Sequence, residues 1–257
     1  MALPLTTASH FSPKSHSPLM EPDQQIQNQA NKQAWDSLYA STPDLVWGAG
    51  AVGFLADFLR PEIANGRSFQ RVLDAATGEG RNLPFLLDVA KELFACDASA
   101  AALSKLAPDL KQRVRLTHCD LAQTPFPDAT FNFILLCDTI ETLPDPAPVL
   151  REMLRILAPG GALVCNFPGP EGDVAGIDMT EIGEERYLYQ GRYFFKFFRE
   201  QEVATLLSMT GWQSIRNEEM SWTESPHPGF RSEPHQHRSQ VYLLTAAHHV
   251  PGAFDTR

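Results

Sequence analysis

The chain is short of positive charge. Its 257 residues carry 21 Lys and Arg against 31 Asp and Glu, a formal net charge of −10, and no cluster of basic residues offsets it. A surface that tracks phosphates should be basic, so nucleic acid is not an expected partner. Cysteine is scarce too. Cys96, Cys119, Cys137 and Cys165 form no CxxC pair, and at least three sit in apolar runs, so buried free thiols are expected. The opening "MALPLTTASHFSPKSHSPL" lacks the basic start and unbroken apolar core of a secretory signal. With reduced thiols, that makes the cytoplasm the expected location. No apolar run is long enough to span a bilayer, and no membrane partner is expected. Internal repeats and an interdomain linker are also missing.

What is present suits one large globular domain. Hydrophobic residues make up 43% and charged residues 20%, ordinary proportions for a soluble fold with a substantial core. Residues 1–22 read as a flexible tail, 23–66 as a helical N-terminal segment, and 67–250 as the main domain. Within the N-terminal segment, "AVGFLADFLRPEI" reads as a short helix ending near Pro61.

From residue 71 strands and helices alternate. "RVLDAA" (71–76), "ELFACD" (92–97), "RVRLTHCD" (113–120), "FNFILLC" (131–137) and "ALVCNF" (162–167) read as strands. The helices between them are amphipathic. In "PAPVLREMLRIL" (146–157), Val149, Leu150, Met153, Leu154 and Leu157 share one face. Ser99 is placed to cap the helix in "ASAAALSKLA". This alternation predicts a parallel sheet with helices on both faces. Residues 168–197 read as irregular and aromatic. A helix follows in "REQEVATLLSMTG", stopped at Gly211. Two closing strands, "WQSIRNEEM" and "SQVYLLTAA", flank the loop "SWTESPHPGFRSEPHQHR".

The stretch "VLDAATGEGRN" (72–82) carries the functional information. Gly78 and Gly80 follow the first strand at the edge where doubly wound sheets bind ligands, and they let backbone approach a ligand closely. A dinucleotide loop beginning at Gly78 needs a third glycine at position 83, which is Leu83. Asp74 would also repel a pyrophosphate and suits a cationic ligand better. An NAD(P)-dependent oxidoreductase and a purely structural turn are the alternatives from these residues alone.

Asp74, Ala75, Ala76, Thr77, Gly78, Glu79 and Gly80 resemble motif I of the class I S-adenosylmethionine-dependent methyltransferases, with Ala76 in place of the first glycine. The resemblance extends in order along about residues 68–167. It implies a Rossmann-like α/β three-layer sandwich, whose seven-stranded, mostly parallel sheet has an antiparallel last strand. Asp97, with Ala98 beside it, is similar to the acidic residue that accepts from both ribose hydroxyls. Asp120 and Leu121 look like the adenine-contacting pair. The stretch "FNFILLCDTIETLPDPAPVLREMLRILAPGGAL" is similar to strand four and the helix after it, but Asn132 and Thr142 stand where aspartate and histidine are common. "AWDSLYASTPDLVWG" looks like the N-terminal lid of small-molecule members. The implied cofactor is S-adenosyl-L-methionine, with S-adenosyl-L-homocysteine as product and a small-molecule acceptor as partner. A catalytically silent S-adenosylmethionine-binding sensor or scaffold is the rival within the same resemblance.

On this reading Asp74 organises the loop and the aminoacyl end of the cofactor. Gly78 and Gly80 allow close approach, and Asn82 begins the next helix. Arg81 reads as a surface or capping group. Cys137 and Asp138 face the methyl group or the acceptor, with Asp138 a candidate base or a cap. Trp47, with Trp35 and Tyr39, covers the cofactor or packs the N-terminal helix. Tyr189 and Tyr193 lie in the acceptor-binding insertion at about 168–197, and Arg231 could pair with an acidic acceptor. His227 and His235 are candidate catalytic or substrate-facing groups. With His237 they have the ingredients of a metal site, but a solvated loop is the plainer account, and no metal is expected.

Overall fold

A computed structural model of the protein describes residues 22–170 and 178–247. The expected tail lies outside them but for Pro22, as do residues 171–177 of the insertion and 248–250 at the end of the main domain.

Two helices, α1 (Pro22–Ser41) and α2 (Leu55–Ala64), precede the sheet. The alternating region supplies β1 (Arg71–Ala75), α3 (Leu83–Val89), β2 (Glu92–Asp97), α4 (Ala100–Ser104), α5 (Pro108–Arg113) and β3 (Arg115–His118). Then come β4 (Phe131–Leu136), α6 (Ala147–Ile156) and β5 (Leu157–Pro168). A small antiparallel sheet follows, formed by β6 (Met179–Gly183), β7 (Arg186–Tyr189) and β8 (Tyr193–Lys196). α7 (Glu200–Thr210), β9 (Trp212–Glu224) and β10 (His235–Ala246) complete the chain.

The main sheet has seven strands in the order β3-β2-β1-β4-β5-β10-β9. The first five are parallel, and β10 enters antiparallel between β5 and β9. This is the expected sheet, with its antiparallel last strand. Alternation sorts its side chains into two layers. Val72, Phe133, Leu135, Val164 and Val241 pack in the layer that holds α2 and α3. Leu73, Ile134, Leu136, Cys165 and Tyr242 pack in the layer that holds α6 and α7. A third cluster joins Leu38, Tyr39 and Val46 to Tyr189, Tyr193 and Phe195 of the small sheet. All four cysteines are unpaired thiols, three of them buried. Among the described residues no helix is long and apolar enough to cross a membrane.

Three sequence expectations need correction. Residues 179–196 are strands, because aromatics alternate against the N-terminal segment; Tyr189 and Tyr193 pair across the β7–β8 hairpin. α2 runs through Pro61. Proline removes only its own donor, and the Asn65 N–H still reaches the Pro61 carbonyl at 2.9 Å. β9 and β10 extend far into the supposed histidine loop, pairing His235 with Glu224 and His237 with Trp222. Ser99 caps α4 as expected, accepting from the Ala102 N–H at 3.0 Å.

Gly211 ends α7 in the left-handed region at φ 84°, its N–H reaching Leu207 and Ser208 carbonyls. A Cβ there would lie 2.9 Å from Leu154 Cδ2. Gly211→Ala is expected to destabilise the fold by at least about 1–2 kcal/mol, the cost of a left-handed non-glycine residue. Chemical denaturation at matched m-value measures it.

Candidate functional site

The chain leaves β1 toward β2 and β3 on one side and resumes at β4 on the other. That reversal opens a crevice beyond the carboxyl ends of β1 and β4, the place where such sheets bind ligands. One large cleft occupies it, roofed by α1 and the small sheet.

The turn after β1 is tied down from below. Buried Asp74 accepts from the Thr77 hydroxyl at 2.6 Å, and the Thr77 N–H reaches the Cys96 carbonyl at 3.0 Å. The Gly78 N–H donates to Asp97 Oδ2 at 2.7 Å, while Asp97 Oδ1 accepts from the Ser99 N–H at 2.8 Å. Gly78 has φ +55°, and a Cβ on it would sit 3.2 Å from the Tyr39 hydroxyl. Ala76 takes the same left-handed region at φ 59°. Its departure from glycine is therefore backbone strain of about 1–2 kcal/mol rather than crowding alone.

The roof is held by polar contacts at defined points. Asp36 accepts from the Ser99 hydroxyl at 2.6 Å. Asn31 donates to the Thr142 carbonyl at 2.7 Å and accepts from the Phe194 N–H at 3.0 Å. Lys32 pairs with Asp120, whose second oxygen takes the Ala122 N–H at 2.9 Å. Burial would raise the Asp120 carboxyl, but the Lys32 ammonium and that N–H hold it below its ordinary value. Glu79, buried inside the glycine turn, accepts from the Val46 and Trp47 N–H groups at 2.7 and 3.3 Å and pairs with Lys105. The Trp47 indole donates to the Tyr39 hydroxyl at 2.8 Å.

Beyond β4 the cleft floor is acidic. Asp138, at φ 46°, exchanges two 2.8 Å hydrogen bonds with Asn166. Burial raises its carboxyl despite nearby Arg81. Burial and the adjacent Asp138 raise Glu141 as well. Burial also pushes the Cys137 thiol well up, so it is a neutral wall. Opposite, Arg81 makes a two-pronged contact to Glu224 at 2.9 and 3.1 Å. His227, His235 and His237 stand beside that pair. Burial lowers His227 to about 3 and His237 to about 4, so both rings are neutral near pH 7.

Among the expected cofactor residues, all line the cleft except Asp74, Ala75 and Gly80. Asp74 acts from beneath the turn, Ala75 faces the sheet core, and Gly80 leaves room for Leu83 and Leu106. Tyr189 and Arg231 reach the cleft, as do Asp138, His227 and His235. Tyr193 does not: it is fully buried against Trp35, 4.8 Å between ring centroids. Arg81 is a cleft residue rather than a surface one, because β9 brings Glu224 to it. The histidines are not a solvated loop, since His227 and His235 are buried. Asn132 lies at the other end of β4, bonded to the Arg71 N–H and the Ser68 carbonyl. Its departure from aspartate therefore says nothing about the cleft. Sequence reasoning missed Lys32, Glu79, Glu141 and Glu224; only Glu79, an acid between two glycines, carried a local signal.

Residues 73–165 match the family model described as a methyltransferase domain. A probable S-adenosylmethionine-dependent methyltransferase of Mycolicibacterium smegmatis is 33% identical over 97 residues, 38% of this chain and 37% of that protein. A demethylmenaquinone methyltransferase of Clavibacter sepedonicus is 33% identical over 124 residues, 46% of this chain and 48% of that protein. The chain thus spans less than half the length of these relatives. Among solved structures, 1,6-didemethyltoxoflavin-N1-methyltransferase of Burkholderia thailandensis superposes with a TM-score of 0.62 at 19% identity, covering 92% of this chain and 98% of that one. A methyltransferase of Methanosarcina mazei gives 0.59 at 17% identity, over 72% and 97%. Over residues 73–165 the chain is thus similar to a methyltransferase domain, and its fold is that of these solved methyltransferases.

Burial, opposed by the Thr77 hydrogen bond, raises Asp74 to about 7. A raised folded-state pKa contributes stability that is complete below the unfolded value near 4 and lost as pH rises through about 7. Asp74→Asn keeps an acceptor for Thr77 and removes that titration. Wild-type melting temperature relative to this variant is expected to fall between pH 5 and 8, which differential scanning fluorimetry reads directly.

Proposed function

We propose that this chain transfers the methyl group of S-adenosyl-L-methionine to a small-molecule acceptor. The observation that carries the reading is the Asp97 carboxylate at the tip of β2. It is anchored by the Gly78 and Ser99 N–H groups yet forms part of the cleft wall. Each of its oxygens uses one lone pair on backbone and keeps another for a vicinal diol. The cleft suits the rest of the cofactor too. Gly78 presents bare backbone where a Cβ would press on Tyr39, and Leu121 offers an apolar side beside Asp120. The same contacts disfavour a dinucleotide, since the Gly78 N–H that a pyrophosphate would need already serves a carboxylate.

When bound, S-adenosylmethionine supplies an electrophilic methyl group on a sulfonium centre. The protein's task is alignment and exclusion of water, effects worth up to ~7–11 kcal/mol when alignment is good. Trp47 and Tyr39, locked by their mutual hydrogen bond and by Glu79, close the cleft and offer aromatic faces to a cation. Met179, Tyr189, Phe195 and Phe230 form an apolar wall under the small sheet, suited to a flat or apolar acceptor. Asp138 stands at the tip of β4 as a proton acceptor for an acceptor that must lose one. Its raised pKa brings it nearer to working pH than an ordinary carboxylate.

Asp97→Ala is expected to weaken S-adenosylhomocysteine binding more than tenfold in calorimetry while leaving the melting profile cooperative. Unchanged affinity would remove the ribose contact from this account. Formation of S-adenosylhomocysteine across an acceptor panel distinguishes an enzyme from a silent binder.

A further inference from the structure

We propose that His227, His235 and His237 form a binding site for one divalent transition-metal ion of the zinc type, with an open coordination position facing the cleft. This goes beyond the methyl-transfer reading and does not rest on it.

The three side chains converge from two directions. His235 and His237 are alternate residues of β10 and so project to one face of the strand. His227 arrives from the tight turn between β9 and β10, closed by a bridge in which His227 N–H and Arg231 N–H each reach the other's carbonyl, at 2.6 and 2.9 Å. One ligand atom from each ring lies within 4.8 Å of the other two. Tetrahedral coordination at ordinary zinc–nitrogen lengths needs about 3.3 Å between nitrogens, which modest side-chain rotation supplies.

The outer contacts point the donor atoms inward. His227 Nδ1 lies 3.2 Å from the Val46 carbonyl, and His235 Nδ1 lies 3.2 Å from the Glu233 carbonyl. A carbonyl only accepts, so each Nδ1 carries the proton and each Nε2 keeps its lone pair. A backbone carbonyl on the far nitrogen is the usual way a metal-binding imidazole is oriented. His235 Nε2 and His237 Nε2 already face each other at 2.9 Å. Two such nitrogens approach either through one shared proton or around one cation.

Packing fixes the rings. His237 stacks on Trp222 at 15° and 5.1 Å, and His227 packs edge-on to Trp47 at 4.8 Å. Trp222 in turn donates to Glu224 at 2.8 Å, and Glu224 neutralises the Arg81 guanidinium. That pairing reduces the positive field that would otherwise repel a cation. An all-imidazole donor set selects zinc, cobalt, nickel or copper over magnesium and calcium, which want oxygen. Three protein nitrogens leave a fourth position for a molecule from the cleft, the pattern of exchangeable rather than purely structural zinc sites.

The test uses the full chain, stripped with a chelator and titrated with zinc chloride against a chromogenic competitor. Uptake of one equivalent at micromolar affinity or tighter is expected. His235→Ala should weaken it at least ~100-fold, more than loss of an outer-sphere contact would. Cobalt chloride should give the intense visible bands of a four-coordinate site in the wild type only. Should His235→Ala fail to fold, His237→Gln is read in its place. Less than one equivalent in the wild type, equal uptake by the folded variant, or preference for magnesium overturns the proposal. S-adenosylhomocysteine calorimetry on the same stripped protein reads the methyl-transfer assignment separately, so each idea can fail alone.

Discussion

One buried carboxylate joins the two halves of this cleft. Glu79 sits inside the glycine turn after β1, takes two N–H groups from Val46 and Trp47, and meets the Lys105 ammonium. Lys105 also donates to the carbonyls of Thr42 and Asp44. The turn, the segment after α1 and the end of α4 are thereby fixed to one point. Breaking such a buried pair on one side costs about 3–5 kcal/mol, because it strands a charge. The geometric consequence matters more. With Val46 fixed, Trp47 lies over the cleft, Tyr39 is held by the Trp47 indole, and the Val46 carbonyl orients His227.

Around that point the cleft divides by chemistry. The end at Asp97 and Asp120 is lined by carboxylates, each already steadied by backbone or by Lys32. The roof is aromatic and draws on α1, the small sheet and Phe230, whose carbonyl accepts from the Tyr189 hydroxyl at 2.7 Å. The end at β9 and β10 combines Arg81–Glu224 with three imidazoles.

Asn31 shows how the roof is coupled to the main sheet. A single amide bridges the Thr142 carbonyl and the Phe194 N–H, so α1, the turn after β4 and β8 hold one relative position. The aromatic residues of the small sheet are consequently packed as a hydrophobic core is, with Tyr193 wholly enclosed. Tyr189 and Phe195, on the same face of that hairpin as Tyr193, reach the cleft wall.

Local periodicity decided the layered part of this protein. The strands from Arg71 to Leu136 and the helices between them are each set by residues within about a dozen positions. The turn at Gly78 needs only a backbone able to take positive φ, so the parallel sheet, the cleft position and the acidic residues at the strand tips were legible. The aromatic stretch at 179–196 misled because its strands are stabilised by packing on α1, more than a hundred residues earlier. The same holds for Arg81 with Glu224, for Glu79 with Val46, and for the three histidines. Each meeting depends on the register of β9 against β10 or on where the N-terminal segment lands. A polar side chain carries no local signal of which distant group will satisfy it; only the closed chain, where every buried charge must find a partner, makes that choice.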